Sequence, residues 1–373
     1  MDENFGYEID YIAIGDKSKS GDAIAIRWGY NLDSSNREQY VMLIDGGHSY
    51  SAKDVLNHIN KYYFDGRNTK VNLIINTHPH SDYIGGLGFI YDKVHVTELM
   101  MHRPWDHEGL PKWFSDGRVT DASIKEQLKE GLENAYDLAK KFNKDHGRPA
   151  CEPFAGKECQ LPYGVRLYVL GPKLDFYNRL LPDFNATPTN GNGVGKNRVV
   201  IDKQGRDVYA SMGKLTDDGD TSAENQSSAI IALKMPNDDI LMFSGDAGIE
   251  SLEKAMDQFS KFNLDIGKLK FFHVPHHGSL QNLGRSIMCR IFGAPGKPLQ
   301  EEKVSAFISV AAHPDYGHPS RRVINALLQS NCYVLKTEGK SIRSSFGQVP
   351  SRPGWTTIES LNEFNTVEGV LND

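Results

Sequence analysis

Short apolar runs alternate with longer amphipathic stretches along this chain. Tyr40–Ile44, Val71–Ile75, Ile240–Phe243, Leu269–Val274 and Val304–Val310 have the length and the branched or aromatic content of buried strands. Between them, Ala52–Tyr62, Ile124–Phe142, Glu250–Phe259 and Ser320–Ser330 carry helical spacing, and the last opens with Ser320 as a predicted N-cap behind Pro319. Strands and helices in alternation predict an α/β protein. Each predicted strand runs straight into a loop containing Asp or His, and loops beyond strand ends are where α/β folds assemble sites. The five loops are therefore expected at one sheet edge.

Two regions interrupt the alternation: a charged helical insert at about 104–148, and a Gly/Asn-rich stretch at 185–221 that reads as a mobile loop. The expected organisation is one domain over residues 1–335 containing both inserts, with a polar C-terminal extension over 336–373 packed on it. Loops around Asn190 and the helix at Trp105 are candidate lids.

Charge narrows the partners. The chain has 42 Lys and Arg against 48 Asp and Glu, a net charge of −6, which excludes the broad cationic surface of a nonspecific nucleic-acid binder. No apolar run approaches the ~18 residues of a membrane helix, and the N-terminus lacks the basic and apolar regions of a secretory signal. The expectation is a cytoplasmic protein without membrane insertion. Four cysteines without C-x-x-C spacing read as reduced and structural.

The candidate chemistry begins at Thr77-His78-Pro79-His80-Ser81-Asp82-Tyr83. Pro79 keeps His78 out of helical dihedrals, and in an extended segment His78, His80 and Asp82 point the same way. Neutral imidazole suits Zn, Mn or Fe, and a carboxylate completes a mixed nitrogen and oxygen site. Asp45 ends the LIDGG strand, where it either makes a turn with its glycines or orients a ligand. Asp246 ends the FSGDA strand, placed so that its two oxygens can bridge two cations. His276 and His277 follow Pro275, and His313 and His318 follow the fifth strand.

In this order, LIDGG, THPHSD, FSGDA, VPHHGS and YGHP resemble the metallo-β-lactamase superfamily. The HHGS and YGHP pair is similar to the soluble hydrolase domain of the ComEC DNA-uptake channel, without the channel's membrane spans. Gly21-Asp22-Ala23-Ile24 and Asn225-Gln226-Ser227-Ser228 are softer matches. The resemblance runs in pieces from Gly21 to Pro319, with residues of about 104–221 largely unmatched apart from Val169–Pro172. It implies an αββα sandwich, two mixed β-sheets flanked by helices, and a metal-dependent hydrolase with two divalent ions, Zn or Mn. One ion would take His78, His80 and one of His276 and His277. The second would take Asp82 and His318, with Asp246 bridging.

The family's second site usually also takes a His where this chain has Tyr83. Three readings follow: Asp82, Asp246 and His318 hold a weaker, harder second ion such as Mn, Tyr83 itself is an oxygen ligand, or the second ion is lost.

The leading expectation is a phosphodiesterase or nuclease using a metal-activated hydroxide. Asp82, His276 and His277 form the catalytic set, and whichever of the two histidines is not a ligand acts as general acid. Further residues expected to support the ligands or to touch substrate are Asp45, Asn225 and Ser228, together with His102, Arg103 for phosphate and Trp105 for base stacking. Lys336, Lys340, Arg343 and Arg352 are a second candidate contact to a nucleic acid. Two alternatives stand beside this: hydrolysis of a lactone, thioester or other acyl substrate, which favours an apolar pocket, and a non-catalytic binding module with a degenerate metal site.

Overall fold

The computed structural model describes residues 4–14, 18–64, 66, 69–109, 126–186, 215–294, 297–314 and 318–362. In chain order, the first half comprises β1 (Phe5–Tyr11), β2 (Ile24–Tyr30), β3 (Glu38–Ile44), α1 (Ala52–Tyr62), β4 (Lys70–Ile75), α2 (Ser81–Ile84), α3 (Leu87–Tyr91), β5 (His95–Met100) and α4 (Glu126–His146). Next come β6 (Glu158–Gln160), β7 (Arg166–Gly171), α5 (Leu174–Leu180), α6 (Ala223–Gln226), β8 (Ile230–Lys234), β9 (Ile240–Phe243), α7 (Ile249–Lys261) and β10 (Leu269–His273). The chain closes with α8 (Arg285–Phe292), the short β11 (Gly293–Ala294) and β12 (Lys297–Pro298), then β13 (Val304–Ile308), α9 (Arg321–Gln329), β14 (Cys332–Lys336) and β15 (Ile342–Gly347).

Two large sheets result. One has six strands in the order β15-β1-β2-β3-β4-β5, and the other seven in the order β14-β13-β10-β9-β8-β7-β6. Each is mixed in the same way: β3, β4 and β5 run parallel in the first, and β9, β10, β13 and β14 run parallel in the second. The period-2 alternation of strand side chains sends successive residues to opposite layers. Leu241, Phe243 and Phe271 enter the core between the sheets with Ile9, Tyr11 and Trp28, while Ile240, Met242 and Phe272 pack against α7, α8 and α9. The outer face of the first sheet is covered by α1, α3 and α4 through Val55, Ile59, Ile90, Leu138 and Phe142. The architecture is an αββα sandwich.

The five ligand-bearing loops do not share one sheet edge as expected. Those after β3 and β4 leave the first sheet, and those after β9, β10 and β13 leave the second. They meet because the parallel strands of both sheets deliver their carboxyl ends to one rim of the sandwich. At α9, Ser320 is the N-cap residue read from the sequence and takes extended dihedrals there, without a side-chain capping bond.

The C-terminal basic residues also differ from expectation. The strand β15 pairs antiparallel with β1, which buries Arg352 against Glu8 (2.9 Å) and Asp10 and sets Arg343 on Glu8. Arg27 (2.6 Å to Glu8) and His58 (2.7 Å to Asp10) complete the cluster, and Lys336 pairs with Glu338. Arg343 and Arg352 neutralise two buried carboxylates and do not form a surface strip. Residues 187–214, which hold the Asn190 loop, and most of the insert before α4 lie outside the described residues. Among the described residues no helix is long and apolar enough to cross a membrane.

Candidate metal centre

The geometry starts at Asp45, directly after β3, in the left-handed region at φ 57°. Its buried carboxylate accepts from Asn76 Nδ2 (2.8 Å), from the Thr77 backbone N–H (2.8 Å) and from Thr77 Oγ1 (2.7 Å). Burial raises its pKa, and these three donors oppose the rise. Because Thr77 spends its hydroxyl proton on Asp45, its oxygen can only accept from His78 Nδ1, 3.1 Å away. That fixes the tautomer of His78 and leaves Nε2 with its lone pair facing inward.

His78 Nε2 lies 3.1 Å from His80 Nδ1 and 3.5 Å from Asp246 Oδ2. Among the described residues, His78, His80 and Asp246 form the group whose ligand atoms all lie within 4.8 Å of one another. Burial pushes the His78 imidazole down to about 3, so it stays neutral, the form that binds a metal. Two imidazoles and a carboxylate converging within 4.8 Å fit a divalent cation of the Zn, Mn or Fe kind.

Asp82 reaches the site by another route than the one read from sequence. The extended segment ends at His80, and Asp82 sits in the first turn of α2. Burial alone would raise its carboxyl, but His277, His80 and His78 around it hold it well below the usual carboxylate range. The other sheet supplies Asp246, whose backbone N–H donates to Ser228 Oγ (3.1 Å). The two loops approach closely because Gly245, at φ 52°, has no Cβ; one placed there would stand 2.8 Å from Thr77 Cβ.

His276 and His277 both adopt positive φ, 48° and 53°, ahead of Gly278 at 79°. Such non-glycine conformations cost about 1–3 kcal/mol each and concentrate at functional sites. They turn the two rings apart. His276 Nδ1 donates to Asn282 Oδ1 (2.9 Å), which aims Nε2 at Asp246 Oδ2, 3.8 Å away; Asn225 Nδ2 lies 3.4 Å from the same ring nitrogen. His277 Nδ1 donates to the Ser309 carbonyl (3.0 Å), placing Nε2 3.3 Å from the Tyr83 hydroxyl and 3.9 Å from Asp82 Oδ2. Burial lowers the His277 pKa, but Asp82, Asp22 and Asp246 outweigh it and raise it to about 9. His318 stacks near His276, with ring centroids 5.6 Å apart, and burial lowers it to about 4.

Tyr83 points into the site. It is fully buried, its hydroxyl donates to Asp246 Oδ1, and its ring lies between those of His78 and His277. Burial, reinforced by Asp22, Asp246 and Asp82, raises the phenol well above its ordinary value.

Three substrate candidates lie elsewhere. His102 is buried against Tyr177 and Phe154. Arg103 pairs with Asp106 and Glu152, and Trp105 packs edge-on against Tyr136 of α4. Their side chains are committed to anchoring the insert. Sequence reasoning missed Asn282, which is fully buried and also donates to the Asp246 carbonyl (2.8 Å). It also missed Asp22 paired with His273 (2.9 Å). For Asp22 a signal existed, its place in the Gly21–Ile24 segment that matches the family; for Asn282 there was none.

Residues 36–287 match the family model of the metallo-beta-lactamase superfamily. The chain belongs to this superfamily. The match includes the His78–Asp82 loop, Asp246 and the His276–His277 turn, and ends before His318. Superfamily members are mostly metal-dependent hydrolases built around divalent ions, and His78, His80 and Asp246 are placed to hold one here. Solved structures similar to the chain include a Cronobacter sakazakii metallo-beta-lactamase with a HARLDQ motif, 12% identical over 67% of this chain and 70% of that one, with a TM-score of 0.32. Metallo-beta-lactamase MIM-1 from Novosphingobium pentaromativorans is 13% identical over 70% and 75%, with a TM-score of 0.31. A Thermotoga maritima flavo di-iron protein mutant is 14% identical over 45% and 33%, with a TM-score of 0.22. No curated protein sequence matches the chain.

Proposed function

We propose that this superfamily member is a phosphodiesterase or nuclease, acting in the cytoplasm. The observation that carries the reading is the cavity beside the His and Asp cluster. It measures about 670 Å³ and is walled by Asp82, His276, His277 and His318 together with Ser18, Lys19, Ser20, Ser49 and Glu130. A wall of hydroxyls, imidazoles and charged groups, Glu126 among them, suits a polar ester better than an acyl substrate, which favours apolar contact. The likeness of the HHGS and YGHP segments to the ComEC hydrolase domain points the same way.

In this reading His78, His80, His276 and Asp246 would hold the first ion, and Asp82 and His318, with Asp246, would hold a second. When bound, such ions supply Lewis acidity and make water nucleophilic near neutral pH. The chain's own residues do the rest. Asp45 and Thr77 keep His78 in the ligating tautomer, Asn282 does the same for His276, and His277, held by the Ser309 carbonyl, is left to protonate the leaving oxygen. The test is hydrolysis of a chromogenic phosphodiester and of a thioester by metal-reloaded protein, with Zn and Mn compared. Cleavage of the phosphodiester alone supports the proposal. Cleavage of the thioester alone replaces it with acyl hydrolysis, and inertness towards both with loaded metal favours a binding module.

A further inference from the structure

The cavity has one wall that metal chemistry does not use. Tyr50, just past β3, is 52% exposed, and single exposed aromatics are common enough to mean nothing alone. This one is built in. Its ring lies flat on His48, with centroids 4.7 Å apart and planes 12° from parallel. His48 is itself buried and locked, because its Nε2 donates to the Ser20 carbonyl (3.0 Å) and its own carbonyl accepts from Ser51 Oγ (3.0 Å). The result is a rigid aromatic surface in the wall of the cavity that also contains Asp82, His276 and His318.

Beside it stands Glu130, from the second turn of α4, accepting from Ser49 Oγ (3.3 Å). A carboxylate here repels phosphate, so the anionic part of a substrate is directed away from Glu130, toward Lys19 and the imidazoles that also line the cavity. What a flat aromatic face with an adjacent carboxylate does accept is a planar ring bearing N–H donors.

We propose that Tyr50, backed by His48, is the stacking platform for a nucleobase of the substrate, and that Glu130 accepts from the base's exocyclic amine. This rests on the phosphodiester reading and narrows it to nucleotide esters, with adenine and cytosine preferred over uracil. Base stacking on an aromatic side chain tolerates any base, so the preference comes from Glu130.

The test compares the dinucleoside monophosphate ApA, UpU and an abasic dinucleotide on metal-loaded enzyme. It also measures calorimetric binding of a methylene-phosphonate analogue of ApA, which cannot be cleaved. Tyr50→Ala is expected to raise the KM for ApA relative to the abasic substrate about tenfold, with kcat changed less than about twofold, and to weaken analogue binding about tenfold. Tyr50→Phe keeps the ring and is expected to match the wild type. Glu130→Ala is expected to erase the preference for ApA over UpU. An unchanged KM ratio in Tyr50→Ala overturns the proposal. If the enzyme cleaves thioesters and no phosphodiester, the functional reading fails on its own. Analogue binding then decides the platform, which stands if Tyr50→Ala weakens it and falls if it does not.

Discussion

The Tyr83 hydroxyl donates to Asp246 Oδ1, tying the helix that follows β4 in one sheet to the loop that follows β9 in the other. One oxygen of the carboxylate best placed to bridge two ions is thereby engaged by a neutral phenol. This contact holds the Tyr83 side chain inside the site. Replacing it by His should raise the metal retained per chain toward about two and increase the hydrolysis rate at least about tenfold. Elemental analysis after chelation and reloading, paired with rates, checks this. No gain in either quantity would mean that position 83 does not limit the second ion.

Asp45 touches no ligand atom directly and acts through Thr77 and Asn76. Asp45→Ala leaves three donors without their acceptor and frees the His78 ring to take the wrong tautomer. Metal affinity is expected to fall about 10- to 100-fold, and stability by about 2 kcal/mol. Competition against a chromogenic chelator and denaturant unfolding separate the two effects.

Asn282 holds His276 from one side and the Asp246 carbonyl from the other. Asn282→Leu preserves volume but removes both bonds, so metal affinity should fall by about tenfold. The fold should persist, as judged by near-UV circular dichroism. An affinity equal to that of the wild type would show that His276 needs no such support.

The buried cluster of Glu8, Asp10, Arg27, Arg343 and Arg352 staples β15 to the first sheet. Among the described residues, removing Arg352 leaves Asp10 with His58 alone and takes one of three arginines from Glu8, so Arg352→Met should destabilise the protein by about 3 kcal/mol. Denaturant unfolding at neutral pH reads the loss. A change under about 1 kcal/mol would mean that Asp10 and Glu8 are satisfied without it.

His102 gives a pH signature outside the metal centre. Burial lowers its pKa to about 3, from an ordinary value of 6.5, so below that ordinary value the unfolded chain binds a proton that the folded one refuses. Stability is therefore lost as pH falls from about 6.5 toward 3, by up to roughly 1 kcal/mol per pH unit. His102→Phe, which keeps an aromatic ring against Tyr177 and Phe154, should flatten this slope. Thermal melts between pH 7 and about 4.5 provide the comparison; identical slopes would assign the acid sensitivity to other groups.

Much of the molecule was legible locally. The runs at 40–44, 71–75, 240–243, 269–274 and 304–310 fall on β3, β4, β9, β10 and β13. Length, branching and the glycine-bearing loops behind them are properties of a few adjacent residues. The helix over 52–62 is equally local, since its apolar stripe recurs at 3.6-residue spacing. The segments that converge on the rim could be named for the same reason. The reading failed where a role depends on a distant partner. Arg352 reads as a surface cation until Glu8 and Asp10 lie beside it, and Arg103 reads as free for phosphate until Glu152 takes it.

The sequence by itself determined the alternation of strands and helices and the order of the metal-ligating motifs, because each is written in contiguous residues; the αββα class followed from the family resemblance that those motifs carry. Only the tertiary structure decided that the five loops come from two sheets and that His276 and His277 diverge, toward Asp246 and toward Tyr83 respectively. It alone showed Tyr83 facing inward and Tyr50 laid on His48 in the cavity wall. Apart from the ring of Tyr50 on His48, these depend on contacts between residues far apart in the chain, such as Tyr83 with Asp246 and His277 with Ser309. Such contacts arise from packing two twisted sheets face to face, and no local pattern encodes them.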